Sequence, residues 1–252
     1  MSMFISFEGG EGSGKSTQTE LLRERLQGSG ISCLLVREPG TTPLGVFLRQ
    51  RLRMEQRRED AISPIAELFM FGAARAELVA KVLKPALERP DMVVIADRYA
   101  DSTTAYQGYG RRRDLRDVKL VNRLATGGTM PDLTFLLDGP PQESLDRVAS
   151  SQARLLLGPH DAAEPGRLDE EGSRRFEEEA PEFHERVRAG YLKMARQEPE
   201  RWCVIDASRA VEEISESVWE RVASRMRLDE AGRPPATGPA LPLWAVSDEG
   251  ED

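Results

Sequence analysis

The feature that most constrains this chain lies near its start. An apolar run, residues 3–7, leads into Gly9-Gly10-Glu11-Gly12-Ser13-Gly14-Lys15-Ser16-Thr17, and Leu21, Leu22 and Leu26 follow at helical spacing. The pattern is G-x-x-x-x-G-K-[ST], set between a strand and a helix, where its chemistry requires it. Glycines admit backbone conformations that turn successive N–H groups inward, and a helix opening near Lys15 adds its positive end. Gly9 to Thr17 are therefore expected to cradle the phosphates of a nucleoside triphosphate. Lys15 would reach the β- and γ-phosphates and Ser16 would hold Mg²⁺. A flexible glycine turn would not account for Lys-Ser-Thr at the helix entrance, and the whole chain holds only five lysines.

Such a unit belongs to an α/β sheet, and the rest of the chain supplies matching pieces. Apolar runs at 31–36, 92–96, 133–137 and 202–205 alternate with helical patterns. The helices are expected at 16–27, 44–54, 64–88 with a bend near Pro85, 114–124, 142–153, 174–197 and 211–226. Strands that are apolar throughout and alternate with helices predict a five-stranded parallel sheet flanked by helices. Ligands bind such sheets at the carboxyl ends of the strands. Those ends hold Gly9 to Thr17, Arg37 to Gly40, Asp97 to Tyr99, and Asp138. Asp97, closing "MVVIAD", is expected to order the metal's water shell beside Ser16. Capping of the next helix is the competing role.

Composition narrows the classes. The 252 residues suit one α/β domain or two small ones. No apolar run reaches the ~18 residues of a membrane span. No basic-then-apolar leader precedes the first strand, so a cytoplasmic location is expected. Cys33 and Cys203 sit in strand-like segments and read as reduced, buried thiols. His160 and His184 are too isolated to suggest a metal site. The net charge is −8, of which residues 229–252 carry −5 through six acids and Arg233. The remainder is close to neutral, so no nucleic-acid-binding face is indicated. The Pro/Gly-rich acidic stretch is expected to be a disordered tail, leaving 1–228 as the folded domain.

Six motifs in order add a more specific signal: "FEGGEGSGKST", "REPGTTPLG", "LFMFGAARAEL", "VIADRYADSTTAYQGYGR", "PDLTFLLD" and "FHERVRAGYL". With them the chain, from about Met3 to Met226, resembles the bacterial thymidylate kinases, within the nucleoside monophosphate kinases. The resemblance implies a P-loop architecture with a mobile lid at about 154–177. It implies Mg²⁺-dependent transfer of the γ-phosphoryl group of ATP to dTMP, a step of dTTP biosynthesis, by a homodimer. It also implies that Arg37 and Arg98 grip the dTMP phosphate, where guanidinium forks match phosphate oxygens, with Glu38 ordering the loop. Phe71 and Arg75, at i and i+4, would stack on thymine and bond its edge. From that stretch alone, Phe71 as core and Arg75 as a surface residue is an open alternative. Phe69 is expected in the core. Ser102, Thr103, Tyr106 and Gln107 match base and sugar contacts, with Tyr106 crowding the ribose 2′ position.

Glu11 stands inside a loop meant for anions. The matching family position is an acid that touches the acceptor's sugar, so Glu11 is read as a dTMP ligand as well as a loop residue. Family members without a loop arginine supply one from the lid. Arg175 is the expected catalytic arginine beside Lys15 and Arg98, with Arg174 and Arg167 as alternatives. The stretch Arg174-Arg175-Phe176-Glu177 departs from the family's usual Asp-Arg-Phe-Glu, and the lid is longer than usual. Rival readings are a P-loop kinase with another acceptor, nucleotide or deoxynucleoside, and a non-enzymatic nucleotide-binding protein.

Overall fold

The computed structural model describes residues 2–53, 61–147, 149, 176, 179–228 and 232. Five strands, β1 (Met3–Gly9), β2 (Ser32–Arg37), β3 (Met92–Asp97), β4 (Leu133–Asp138) and β5 (Trp202–Asp206), form one parallel sheet in the order β2-β3-β1-β4-β5. The strands at the centre are apolar because helices cover both faces, and β1 and β3 are buried at every position. The chain reverses direction of travel across the sheet between β3 and β4, on either side of β1, which is where such sheets open a crevice. Register sharpens this, with Phe7 level with Asp97 and Gly9 level with Leu137.

The helices are α1 (Lys15–Gly28), α2 (Pro43–Arg53), α3 (Pro64–Leu78), α4 (Lys84–Leu87), α5 (Ala100–Thr103), α6 (Leu115–Thr126), α7 (residues 141–147), α8 (Pro181–Gln197) and α9 (Val211–Met226). On one face of the sheet Leu22 and Leu26 of α1 and Val218, Trp219 and Val222 of α9 pack on Ile5, Phe7 and Phe135. On the other, Leu78, Val79 and Leu83 cover Phe4 and Val94. A third cluster joins Tyr106 to Phe183, Val187 and Tyr191 of α8.

Three local findings differ from the sequence expectation. The bend expected near Pro85 is a π-helical turn, Val79–Leu83, inserted between α3 and α4. Proline lacks the N–H and clashes with the carbonyl four residues back, and the wider turn just before Pro85 accommodates this. Ala100–Gly110, assigned no element from sequence, is a helical segment whose second part, Thr104–Gly110, is π-helical. Its glycines and threonines are weak helix formers, and its burial against α6 and α8 holds it instead. The helix expected from residue 174 begins at Pro181, after an extended Ala180; proline suits a first helical position.

Phe69 is also corrected: it is 58% exposed, not core. The buried residues of α3 are Glu67, Leu68, Gly72, Ala74, Arg75 and Leu78. Two charged residues among them mislead a periodicity argument. Cys33 and Cys203 are free thiols, partly buried, on strands at opposite edges of the sheet. No helix among the described residues is long and apolar enough to cross a membrane. Of residues 229–252 only Gly232 is described, and it is buried against Trp219; the tail expectation otherwise lies outside the described residues.

Candidate active site

The loop between β1 and α1 is shaped by Gly9, Gly12 and Gly14, whose positive φ other residues could not adopt without strain. At Gly9, φ is +144° and a Cβ would lie 2.6 Å from the Leu137 carbonyl oxygen. Gly14, at φ +91°, turns the chain into α1. Lys15 is buried, and its Nζ donates to the Gly10 carbonyl at 2.6 Å and to Ser13 Oγ at 3.1 Å. Burial and the neighbouring Arg98 push the Lys15 ammonium down to about 8, against the pull of Glu11, Asp97 and Glu8. Gly12, Ser16 and Thr17 complete the loop, with Ser16 and Thr17 facing out.

At the mouth of the loop, Ser16 Oγ donates to Asp97 Oδ2 at 2.7 Å. Arg37 reaches the same pair, with Nη2 donating to Ser16 Oγ at 3.2 Å and Nε lying 3.4 Å from Asp97 Oδ2. Asp97 is therefore engaged with Ser16, while the N-cap position of α5 is Tyr99, which has no side-chain cap.

Beside it sits Arg98, whose backbone is left-handed at φ +70°. A non-glycine residue there carries strain of about 1–3 kcal/mol. Its guanidinium is held in return: Nη1 donates to the Gly9 carbonyl at 2.9 Å, and Nη2 to Glu11 Oε1 at 2.8 Å and Tyr106 Oη at 3.2 Å. Tyr106 donates to the same Glu11 oxygen at 3.0 Å. Burial alone would raise the Glu11 carboxyl, but Arg98, Lys15 and the Tyr106 hydroxyl outweigh it and hold it at about 2. Glu11 is thus an anion turned toward Arg98 and Tyr106, inside a loop built for anions.

These groups border one cleft of about 920 Å³, its mouth included, lined by Glu11, Ser16, Arg37, Phe71, Arg75, Asp97, Arg98, Ser102, Thr103, Tyr106, Gln107 and Phe176 among others. Every acceptor-site residue expected from sequence therefore borders the same space as Ser16 and Asp97 of the metal end. Arg75 is nearly inaccessible at 1% exposed, contrary to the alternative of a surface residue. It donates to Glu38 Oε2 from Nε and Nη2 at 2.9 and 2.7 Å, to Asn122 Oδ1 at 2.6 Å and to Thr103 Oγ1 at 2.8 Å. Glu38 thus ties the loop after β2 to α3. The expected lid arginines Arg175, Arg174 and Arg167 lie outside the described residues.

The comparisons with known proteins decide the family. Residues 7–218 match the family model described as thymidylate kinase. The chain is 43% identical over 218 residues to a thymidylate kinase of Roseiflexus sp. (strain RS-1), covering 86% of this chain and 92% of the relative. It is 43% identical to one of Synechococcus sp. (strain JA-2-3B'a(2-13)), covering 92% and 100%. A solved structure of thymidylate kinase from Ehrlichia chaffeensis matches with TM-score 0.64 and 31% identity, covering 88% of this chain and 98% of that one. The chain belongs to the thymidylate kinase family. Its fold is the family's, and the family phosphorylates dTMP to dTDP with ATP.

Several residues that border the cleft or the loop escaped the sequence reading. Phe176, within the segment expected to form a lid, lines the cleft, its ring 6.4 Å from Phe71 and 5.4 Å from Tyr106. Arg147 of α7 donates to the Gly12 carbonyl at 3.3 Å, adding a cation at the phosphate loop. Tyr191 of α8 and Ser102 share a hydrogen bond of 2.8 Å, and both meet Arg98 Nη1 and Glu8. Glu8 is fully buried; burial and the nearby Asp101 push its carboxyl up to about 7. Phe176 and Tyr191 stand inside or beside the quoted motifs, so a signal existed. Arg147 carried none, because its role depends on where α7 docks.

Proposed function

We propose that this cleft transfers the γ-phosphoryl group of ATP to dTMP, giving ADP and dTDP, with the residue roles that follow. The observation that carries the reading is the position of Arg98. Its guanidinium joins the phosphate loop, through Gly9 and Glu11, to the cleft. A phosphate held by Arg98 and Arg37 would lie beside Ser16 and the loop that holds the donor. Phosphoryl transfer needs in-line placement and neutralised charge more than covalent chemistry. The attacking phosphate oxygen is already anionic, so no general base is called for. Lys15 and the loop N–H groups, Gly9 to Thr17, take the donor phosphates. Glu11 and Tyr106 take the sugar, Phe71 stacks on the base, and Ser102 helps seat the acceptor. Arg75, Thr103 and Gln107 read the ring's edge. Arg175 supplies the lid's cation.

Mg²⁺ fits the Ser16–Asp97 pair. Both offer the hard oxygens that Mg²⁺ prefers, and Arg37, a cation, already lies against them. When bound, the ion would neutralise charge on the donor phosphates. Among the described residues no cluster of three or more His, Cys, Asp or Glu could hold a metal.

A homodimer is supported by exposed apolar side chains on neighbouring helices: Phe47 on α2, Ile65 and Phe69 on α3, and Leu120 and Leu124 on α6. Contiguous patches of this kind mark association surfaces. A cytoplasmic location is supported by free thiols on opposite sheet edges. We assign 1–228 to the kinase domain, with the lid at about 154–177 and a tail at 229–252.

One assay tests the reaction. ADP release is followed with ATP, Mg²⁺ and, separately, dTMP, dUMP, thymidine or no acceptor. Turnover with dTMP that exceeds the acceptor-free rate is expected. Turnover with thymidine alone would overturn the reading.

A further inference from the structure

A primary amide is a poor base reader on its own, because a half-turn about one bond exchanges its acceptor and donor ends. Gln107 lines the cleft, and its Nε2 donates to Glu67 Oε1 at 2.9 Å. Glu67, in the first turn of α3, has no exposed surface. The same carboxylate accepts from Arg111 Nε at 3.3 Å and Nη2 at 3.5 Å. A carboxylate opposite a guanidinium accepts and does not donate, so only the nitrogen end of the amide can face it. The amide oxygen is turned away, and among the described residues nothing donates to it. Arg75, on the same helix as Glu67, gives one Nη1 hydrogen to Asn122 and keeps a second N–H.

We propose that Glu67 is a positioning residue that sets base specificity: it locks Gln107 with its acceptor toward the bound ring, beside a donor of Arg75. The inference rests on the reading of the cleft as the dTMP site. Thymine presents the O4 acceptor beside the N3–H donor. Cytosine presents the N4–H₂ donor beside the N3 acceptor. A fixed donor–acceptor pair matches the first and opposes the second at both positions. A site with fixed buried polar groups rejects a mismatched partner strongly, because each mismatch leaves a group unpaired. An unlocked amide would turn over and accommodate the cytosine N3.

The test compares wild type, Glu67→Gln, Gln107→Leu and the double variant, measuring kcat and KM for dTMP and dCMP, with Tm to monitor folding. Glu67→Gln should raise the dTMP KM about tenfold, lower kcat less, and narrow the dTMP-to-dCMP ratio of kcat/KM by about tenfold. For the dTMP-to-dCMP ratio the double variant should do no worse than Gln107→Leu, since Glu67 acts on base choice through its hydrogen bond to Gln107, while its pairing with Arg111 is read out in Tm. An unchanged ratio in Glu67→Gln, or losses that multiply in the double variant, would overturn the proposal. A second measurement needs no Glu67 variant. In ¹⁵N-labelled wild type without dTMP, the Gln107 amide protons, assigned with Gln107→Leu, should resist solvent exchange. Fast exchange in the free protein would sink it. Wild type inactive toward both dTMP and dUMP would count against the acceptor reading itself. Activity toward dTMP with an unaltered ratio counts against Glu67 alone.

Discussion

The loop and the cleft that we propose hold the donor and the acceptor meet at Ser16 and Asp97, yet they are built from different material. The loop works through backbone. Its shape comes from glycine conformations and a helix end, and Lys15 folds back onto Gly10 and Ser13. The cleft works through side chains, and each important arginine is seated by a carboxylate: Arg75 by Glu38, Arg98 by Glu11, Arg111 by Glu67. A backbone device is compact in sequence and hard to break with one substitution outside it. A side-chain device is dispersed and fails wherever one partner is removed, because the other is left charged and buried.

That contrast can be pressed experimentally. The largest effect is expected on the donor side, where Arg175→Ala should lower kcat by about 10³-fold with little change in dTMP KM. Near-normal kcat in Arg175→Ala, together with a loss in Arg174→Ala or Arg167→Ala, would move the role to that residue. On the acceptor side, Arg98→Ala should lower kcat/KM for dTMP by about 10²–10³-fold and also reduce Tm, since Glu11 loses its cation. An Arg98 variant with normal Tm would show that the fork is not structural.

A smaller effect follows from Lys15, held at about 8 in the free protein. Its charge disappears as pH rises through that value, so kcat/KM for ATP should fall above about pH 8, approaching tenfold per unit. Bound phosphates favour the charged form, so kcat at saturating ATP should persist to higher pH. Identical profiles for the two parameters would contradict this. The smallest effect lies outside both regions. Ser63 caps α3 by accepting from the Ala66 N–H at 3.3 Å, and Ser63→Ala should cost about 1 kcal/mol in denaturant unfolding while leaving KM values unchanged.

Legibility in the sequence follows the same division. The five strands and the phosphate loop could be read because apolar runs and a glycine spacing are contiguous signals. The residues that we propose bind the acceptor were readable only through resemblance, since they come from the loop after β2, from α3 and from Ala100–Gly110. What stayed hidden is what tertiary packing decides. Glu67 reads as an ordinary acid in a first helical turn until α6 and Ala100–Gly110 bury it. Phe69 reads as core because, two positions from Phe71, it points elsewhere on the helix, but the face of α3 that turns inward holds Glu67 and Arg75. Arg147 reads as a surface charge until α7 is laid beside Gly12.

The left-handed backbone of Arg98 has a consequence for how this position tolerates change. Alanine at 98 would keep the conformational strain while losing every partner that offsets it. Glycine would lose the same partners but adopt φ +70° without strain. The usual ranking would therefore invert, with Arg98→Gly more stable than Arg98→Ala by about 1 kcal/mol. In mutational terms the side chain is the guarantor of its own backbone, and a conserved function here would be guarded by folding as much as by catalysis.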